Sequence, residues 1–324
     1  MRHNPAWLQM FAPVIFCISA LAAQGPGTLR VVVAQDGSGD FKTIQMAIDH
    51  APPYGEKRLV IEIRPGIYRE RVVIPQDRPR VTFSGTDAAK TVITYNMSAK
   101  EAGGTFFSST VDVQGAAFEA DNITFENSYG TGSQAVAAMI HSDKAIFKKC
   151  RFLGWQDTLY AASGRQYYRD CHIAGHVDFI FGNAAAVFEK CEIHSRGRGY
   201  VTAQSRVTPN GPTGFVFIHC KLTGENTGKG VYLGRPWRRY ARVVFIDCRL
   251  GKHILPQGWS NWNKTDNYKT TWYGEYGSTG PGAKPAERVP WAHQLTAAEA
   301  AQFEPDVFLR GSDDWQPDRV RIPN

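Results

Sequence analysis

Five cysteines of the chain recur in one local pattern, and this repeat limits the folds that the chain can adopt. Each has an aromatic or aliphatic residue just upstream and an apolar residue two places on: "FKKCRF" at Cys150, "YRDCHI" at Cys171, "FEKCEI" at Cys191, "FIHCKL" at Cys220 and "FIDCRL" at Cys248. The segment "EADNITF" fits the same frame with Asn122 in the cysteine position, so the intervals are 28, 21, 20, 29 and 28 residues. Short β-rich segments repeated at such a period are typical of a solenoid.

The repeat favours one kind of solenoid over the others. Leucine-rich repeats need a Leu-x-x-Leu-x-Leu frame, which is absent here, and a propeller blade needs about 40 residues. A parallel β-helix fits, with one coil per repeat and loops that take up the variation in interval. Because coils stack at the strand spacing of about 4.8 Å, like residues form ladders. The sequence therefore predicts an all-β chain folded as a parallel β-helix.

The two ends of the chain differ from its middle. The stretch "DFKTIQMAIDHAPP" has helical apolar spacing that stops at Pro52, which predicts an N-terminal capping helix. Beyond about Tyr276 the chain is rich in Gly and Pro, and a short helix is expected around Leu295 to Phe303. We expect this tail to pack over the coils. No linker interrupts the repeat, so residues 24–324 are interpreted as one domain.

The first 23 residues have the pattern of a secretory signal peptide. Arg2 and His3 precede an apolar run from Leu8 to Leu21, and Ala20-Leu21-Ala22 offers a small-residue cleavage site. The run is short for a membrane span, so we expect a secreted protein, extracellular or periplasmic, and no membrane association. The net charge of +7 suits an acidic polymer, but no dense Lys/Arg run with interleaved aromatics indicates nucleic acid.

Export also permits disulfide bonds. Adjacent cysteines of a ladder would have Cα atoms about 4.8 Å apart, which is within the range that a disulfide accepts. Cys171 and Cys191 are separated by the shortest interval, so they are the expected pair. The alternative is that all five cysteines fill the core as thiols, and at least one of five must do so.

Two aspartates occupy equivalent positions on successive repeats. Asp157 follows Cys150 by seven residues, and Asp178 follows Cys171 by seven. They should be stacked neighbours, and two carboxyl groups that close together do not both ionise easily. The result is a nucleophile or base beside an acid partner. The structural alternative is an exposed acidic ladder relieved by a nearby cation.

Supporting groups occur on the same stretch of coils. Gln134 and Gln156 could supply amide N–H groups to a developing oxyanion. Arg235, in "LGRPW", could hold an ionised aspartate by a bidentate contact. Flat faces for sugar rings could come from three aromatic residues, Trp237, Phe181 and Tyr160.

Several reactions remain open on these residues alone. A retaining glycosidase also needs two carboxyl groups about 5 to 5.5 Å apart. A Ca²⁺-dependent lyase would need a denser acidic cluster, and a serine esterase would normally contain Gly-x-Ser-x-Gly, which is absent. His172 and His176 lack metal-ligand spacing. No metal and no cofactor is expected.

The motifs carrying these residues resemble those of pectinesterases (pectin methylesterases) over nearly the whole mature chain. They occur in the family's order: "GIYRE" from Gly66, "QAVA" from Gln134, "QDTLY" from Gln156, "GHVDFIFG" from Gly175 and "LGRPW" from Leu233. The segments "VAQDGSGDFKTIQMAI" and "ILPQGWSNWN" are also similar to the family. The resemblance implies a right-handed β-helix that hydrolyses the methyl esters of pectin.

The resemblance also implies roles for the polar residues. Asp178 would attack the ester carbonyl, while Asp157 would give a proton to the departing methanol and later take one from water. Gln134 and Gln156 resemble the oxyanion-hole pair of the family, and Arg235 resembles the residue that fixes the nucleophile. The family needs no metal and no cofactor for this reaction.

Substrate contacts are carried over in the same way. Trp237 matches a stacking position, Thr105 in "GGTFFSST" matches a substrate-contacting position, and Phe181 and Tyr160 are further candidates. His176 departs from the pattern, since a small hydroxyl residue is expected two places before the nucleophile. The alternatives are a β-helix hydrolase or lyase acting on the pectin backbone, and an inactive pectin-binding protein. We expect a monomer.

Overall fold

The computed structural model describes residues 27–225, 230–263 and 265–317, so the predicted signal peptide, residues 1–23, lies outside the described part. The strands, in chain order, are β1 Thr28–Val33, β2 Arg58–Ile63, β3 Gly66–Arg69, β4 Val72–Ile74, β5 Val81–Ser84, β6 Thr91–Tyr95, β7 Val111–Val113, β8 Glu119–Asp121, β9 Thr124–Asn127, β10 Ala138–Ile140, β11 Ala145–Lys148, β12 Arg151–Leu153, β13 Leu159–Ala161, β14 Arg165–Arg169, β15 His172–Gly182, β16 Ala185–Glu189, β17 Glu192–Gln204, β18 Gly214–Ile218, β19 Lys221–Gly224, β20 Val231–Gly234, β21 Arg242–Ile246, β22 Arg249–Leu250, β23 Trp272–Tyr276 and β24 His293–Gln294. The α-helices are α1 Ile44–His50, α2 Ala99–Ala102, α3 Ala297–Ala300 and α4 Pro305–Phe308. Short 3₁₀ turns cover Thr105–Phe107, Asn267–Lys269, Pro285–Glu287 and Ala301–Phe303.

The strands stack in parallel as successive coils of a β-helix. Strands β8, β9 and β10 form one coil, and β11, β12 and β13 lie in register on the next. The first strands of the coils make an eleven-stranded sheet, while the second and third strands make the other faces. Those faces join because the long strands β15 and β17 run across both. The predicted fold class, a parallel β-helix, is confirmed.

The interior is filled by ladders of like residues. The rings of Phe147, Tyr168, Phe188, Phe217 and Phe245 stack in a single column, with centroids 4.8, 4.6, 4.6 and 4.4 Å apart. All five side chains are fully buried. Aromatic pairs of this kind contribute about 0.5–1.5 kcal/mol each beyond their buried area. The column ties five successive coils together.

The structural repeat is set by the backbone conformation of the residue before each cysteine, and not by the cysteine itself. Arg151 pairs with Thr124, so Cys150 lies opposite Ile123, and the prediction that Asn122 occupies the cysteine position is wrong by one residue. Asn122 instead has a left-handed backbone, which asparagine and aspartate adopt more readily than most residues. The same conformation recurs one residue before each of the five cysteines of the repeat, at Lys149, Asp170, Lys190, His219 and Asp247. These left-handed corners turn the chain from one face to the next.

The structure does not contain the predicted Cys171–Cys191 disulfide, because all five cysteines are buried free thiols. The Cys171 thiol faces the carbonyl oxygens of Phe147 and Arg169 at 3.5 and 3.4 Å. In-register stacking holds neighbouring Cβ atoms near the strand spacing of about 4.8 Å, whereas a disulfide needs about 3.5–4.5 Å. Burial raises the pKa of both thiols well above the usual range, so they act as inert core residues.

The two ends of the chain pack on the coils in different ways. Helix α1 begins after Thr43, whose hydroxyl accepts a hydrogen bond from the Met46 amide, and its apolar face is buried in the main core. At the other end, Leu295 and Phe303 pack on the outer face of the eleven-stranded sheet. The tail thus covers the coils, as expected. Among the described residues, no helix combines the length and apolar character needed to cross a bilayer.

Gly182, in "DFIFGN", must be a glycine because the neighbouring coil leaves no room for a side chain. Gly182 has φ +125°, and a Cβ built there would lie 2.1 Å from the carbonyl oxygen of Ala161. We expect Gly182→Ala to lower the free energy of unfolding by about 3 kcal/mol, since strained backbone and a hard contact combine. Urea unfolding measures this. The control is Gly130→Ala, at φ +99° with open space around it; an equal loss in both variants would show that the contact with Ala161 does not matter.

Candidate active site

The predicted site lies where the third strands of successive coils begin. Gln134 and Gln156 form a parallel bridge on neighbouring coils. One coil further on, the Asp157 amide donates to the carbonyl oxygen of Val177 at 3.0 Å. Tyr160 pairs with Phe181 in the adjoining strands β13 and β15. The 21-residue interval between Asp157 and Asp178 is therefore the length of one coil, and the two aspartates are stacked neighbours.

Both aspartates have an unusual backbone. Asp157 has φ 62° and Asp178 has φ 50°, in the left-handed region that non-glycine residues rarely occupy. Such strain costs about 1–3 kcal/mol and concentrates at functional sites. The flanking strands β13 and β15 hold the strained turns in place.

The two carboxyl groups open into a cleft of about 250 Å³. Its lining contains eight of the nine predicted site residues and three others: Thr105, Phe106, Gln134, Gln156, Asp157, Asp178, Phe181, Ala203, Arg235, Trp237 and Trp262. The ninth, Tyr160, stacks on Phe181 with ring centroids 4.6 Å apart. A larger hollow of about 590 Å³ lies elsewhere, but Glu225 is its single acidic lining residue in the described part of the chain. Of these two cavities, as lined by the described residues, the smaller one holds the carboxyl pair.

Arg235 fixes Asp178 through both of its carboxylate oxygens. Its Nε donates to Oδ1 at 2.9 Å, and its Nη2 donates to Oδ2 at 2.5 Å. The guanidinium lies between the rings of Tyr200 and Trp262, 3.9 Å from each ring centroid. Stacking on both faces restricts the guanidinium to the orientation that matches the carboxylate.

Burial and charge separate the two carboxyl groups. Burial raises the pKa of Asp157 well above its ordinary value, and the neighbouring charge of Asp178 raises it further. Burial also raises the pKa of Asp178, but the hydrogen bonds and the charge of Arg235 oppose that rise. Asp178 therefore loses its proton first, and Asp157 keeps its own. The two carboxyl groups therefore differ in pKa, and Asp157 is the one that holds its proton to higher pH.

One wall of the cleft is a continuous aromatic surface. Phe106 contacts Tyr160 at 4.9 Å, Tyr160 stacks on Phe181, and Trp237 lies 6.0 Å from Phe181 between ring centroids. Phe106 is 44% exposed, which is unusual for so large an apolar side chain. An exposed aromatic surface beside polar groups is a suitable platform for sugar rings.

Three residues of this site were not predicted from the sequence. Tyr200 and Trp262 sandwich Arg235, and Phe106 extends the aromatic wall. Trp262 does lie in "ILPQGWSNWN", one of the motifs that resemble the family, so that motif was the available signal. Phe106 directly follows Thr105, a predicted substrate contact, so the segment around Thr105 was the available signal for Phe106.

Comparison with known proteins identifies the family of the chain. The sequence model of the family described as pectinesterase matches residues 30–312. The chain belongs to the pectinesterase family. Pectinesterase 31 of Arabidopsis thaliana is 44% identical over 293 residues, which cover 87% of this chain and 92% of that protein. This pectinesterase is therefore an enzyme, a carboxylic ester hydrolase.

Solved structures support the same family. The structure of pectin methylesterase from carrot matches this pectinesterase with a TM-score of 0.85 and 40% identity, covering 90% of this chain and 95% of the carrot chain. A pectin methylesterase in complex with hexasaccharide VII matches with a TM-score of 0.76 and 31% identity, covering 93% of this chain and all of that one. Both matches extend along almost the whole β-helix.

The departure at His176 lies beside the cleft rather than in its lining. Its imidazole ring is edge-on to Trp155, with centroids 5.5 Å apart, and the Trp155 ring in turn carries the guanidinium of Arg196 at 4.3 Å. The positive charge of a protonated His176 lowers the pKa of Asp178. His176 is thus placed to affect the charge state of Asp178.

Proposed function

We propose that this pectinesterase hydrolyses the methyl esters of pectin by way of Asp178 as nucleophile and Asp157 as general acid and base. One observation carries the proposal: a carboxylate held by Arg235 lies one coil from a carboxyl group that keeps its proton, and both open into one cleft. A nucleophile and an acid with separated pKa values are what ester cleavage requires.

In the first half of the reaction, a carboxylate oxygen of Asp178 attacks the ester carbonyl carbon. The carbonyl oxygen becomes an oxyanion, and side-chain N–H groups of Gln134 and Gln156 stabilise it. As the tetrahedral intermediate collapses, the carbon–methoxy bond breaks and Asp157 gives its proton to the methoxy oxygen. Methanol leaves, and the sugar carboxyl group remains bound to Asp178 as an anhydride.

In the second half, a water molecule hydrolyses the bond between the sugar carbonyl carbon and Asp178. Asp157, now a carboxylate, accepts a proton from the water molecule while the water oxygen attacks the same carbonyl carbon. The carbon–oxygen bond to Asp178 breaks, and the Asp178 carboxylate returns to Arg235. The product is a free uronic acid group, and Asp157 again holds a proton for the next turnover.

The aromatic wall gives the polymer its place in the cleft. Trp237, Phe181 and Tyr160 stack against sugar rings, and Thr105, which also lines the cleft, contacts the substrate. A relative in complex with a hexasaccharide matches this chain along its length, which supports a cleft that accepts an extended oligosaccharide. The partner is therefore methyl-esterified pectin, with no cofactor.

We place the enzyme outside the cytoplasm. Residues 1–23 would act as a cleavable signal peptide, and residues 24–324 would form one catalytic domain, secreted to the exterior or the periplasm. We propose that the enzyme acts as a monomer. No nucleic acid and no membrane enters the reaction.

Product analysis on highly methylated pectin tests the proposal. The purified enzyme should release methanol and titratable acid in equal amounts, since each ester yields one of each. A β-helix hydrolase would produce new reducing ends, and a lyase would produce unsaturated ends. An inactive pectin-binding protein would retain the polymer and release nothing, so the four outcomes separate the candidates.

A further inference from the structure

The larger hollow, of about 590 Å³, lies on the outer side of the last coils, at the corner where the second strands β19 and β22 end. It shares no lining residue with the catalytic cleft. Its volume is within the range of about 300–1,000 Å³ that is common for ligand sites. We call it the basic hollow, and its polar lining residues among those described are Lys221, Thr223, Glu225, Arg249, Lys252 and His253.

Two cations of the basic hollow lie directly opposite each other. Lys221 on β19 is paired in register with Arg249 on β22, and both residues are exposed. Like charges at such positions destabilise a sheet. Lys252 adds a third cation from the turn that follows β22. In the part of the chain that the structure describes, none of the three lies within ion-pair distance of a carboxylate.

The neighbouring carboxylates do not balance these cations. Glu192 precedes Lys221 in the same column of strands, but its Oε1 accepts a hydrogen bond from the Thr223 hydroxyl at 3.0 Å. Glu225, the single acidic residue of the described lining, lies 4.0 Å from Nε2 of His194. Three cations therefore face one carboxylate in the lining, and the excess positive charge favours an anion from outside the protein.

His253 offers a hydrogen-bond donor to the same hollow. Burial lowers its pKa to about 4, with a further effect from the charge of His194, so the imidazole is neutral at neutral pH. Its Nε2 is buried and has no hydrogen-bond partner among the described residues. An unmatched buried nitrogen is unfavourable. In the tautomer with its proton on Nε2, the ring donates to an anion bound beside the cations.

Apolar surfaces complete the lining. Leu255 and Pro256 are half-buried, Pro281 is exposed, and all three line the hollow together with the cations. Sugar rings combine apolar C–H faces with polar edges, and a uronate ring adds one carboxylate. A small inorganic anion would use the cations without using the apolar surfaces. The lining therefore fits a short run of uronate units better than an isolated ion.

We propose that the basic hollow is a second polysaccharide-binding site, separate from the catalytic cleft, for a run of free uronate carboxylates. The choice of ligand rests on the proposed function, because de-esterification of pectin produces such runs. The Arg249 guanidinium pairs with one carboxylate in a bidentate manner, and Lys221 and Lys252 bind as point charges. A methyl ester has no charge to offer them.

A second site changes how the enzyme stays on its polymer. A segment held in the basic hollow keeps the enzyme at a high effective concentration near the remaining esters of the same or a neighbouring chain. The product thereby retains the enzyme that made it. Retention should rise with the content of free carboxylates even while the catalytic cleft is occupied.

Equilibrium dialysis with de-esterified trigalacturonate counts the sites. The wild-type enzyme should bind two molecules per chain, one in the cleft and one in the basic hollow. The double variant Lys221→Gln/Arg249→Gln should bind one, and the cleft site that remains shows that the variant is folded. The control Lys42→Gln/Lys57→Gln removes the same charge from exposed positions that line neither cavity, and it should still bind two.

The affinity for immobilised de-esterified pectin gives a second measurement. We expect Lys221→Gln/Arg249→Gln to raise the dissociation constant about tenfold, and the control to change it less than about twofold. In an Asp178→Ala background, which does not consume esters, fully methylated trigalacturonate should bind once per chain, since it has no charge for the basic hollow.

Several outcomes would overturn the second site. They are a single trigalacturonate per wild-type chain, two in Lys221→Gln/Arg249→Gln, two fully methylated molecules per chain, and an equal weakening in both double variants, which would indicate general attraction of an acidic polymer. Displacement of one trigalacturonate by inorganic sulfate at equal concentration would indicate a site for any small anion and would overturn the uronate assignment. In each case the wild-type enzyme would still release methanol from methylated pectin. A wild-type enzyme that releases none would instead overturn the proposed function, and the choice of ligand with it.

Discussion

Replacing Asp178 by alanine is expected to lower methanol release from methylated pectin by roughly 10³-fold or more. The variant lacks the oxygen that attacks the ester, and water cannot take its place with the same geometry. Asp157 keeps its proton and Gln134 keeps its amide, but neither group can form the covalent intermediate. Methanol release, followed as a function of enzyme concentration, measures the loss.

Two further variants separate lost chemistry from lost structure. Asp178→Asn keeps the size of the side chain and the tolerance for a left-handed backbone but removes the charge, so it should be nearly as inactive. Asp170→Ala places alanine at a comparable left-handed position, φ 53°, at a corner outside the cleft lining. It should stay active with a similar loss of stability. Near-normal turnover in Asp178→Ala, with the protein folded by circular dichroism, would contradict the nucleophile assignment.

Stacking made the fold and the carboxyl pair predictable. In a β-helix, two residues are stacked neighbours when the number of residues between them equals the length of one coil. Asp157 and Asp178 each follow a cysteine of the repeat by seven residues, and this common spacing was enough to pair them. The aromatic column has the same regularity, because each of its rings lies three residues before a cysteine of the repeat. Each of these features depends on residue spacing alone, which the sequence gives directly.

Two errors came from features that spacing does not describe. The position of Asn122 was wrong by one residue because the repeat is set by a left-handed backbone corner, which Lys149 and Asp170 occupy on other coils just as Asn122 does on its own. The disulfide between Cys171 and Cys191 depends on about 1 Å in Cβ separation. Residue type and sequence interval determine neither the backbone conformation at a corner nor the Cβ–Cβ distance between stacked cysteines.

The aromatic residues around Arg235 were missed for a different reason. Tyr200 belongs to strand β17 and Trp262 to the loop between β22 and β23, and each ring contacts the guanidinium. Their side chains converge only through the three-dimensional path of the loops. Arg235 itself was found through its motif, which supplies a residue and a role but not the groups that hold it.

Replacing Arg235 by lysine is expected to lower kcat/KM about 10- to 100-fold at neutral pH. Lysine can make one point contact where Arg235 now makes two, at 2.9 and 2.5 Å from the Asp178 oxygens. It also cannot fill the gap between Tyr200 and Trp262 with a flat ion. The Asp178 carboxylate would then adopt several orientations relative to the ester carbon. Most of these orientations would not allow the oxygen to attack.

The pH profile distinguishes this loss from a general loss of structure. Arg235 lowers the pKa of Asp178, so a weaker cation lets that pKa rise, and the acidic limb of the kcat/KM profile should move to higher pH. Arg206→Lys is the control, since Arg206 is also buried but donates to the backbone carbonyls of Tyr240 and Gly211; it should keep the wild-type profile. Full activity of Arg235→Lys with an unmoved acidic limb would mean that neither the geometry nor the charge of Asp178 depends on Arg235.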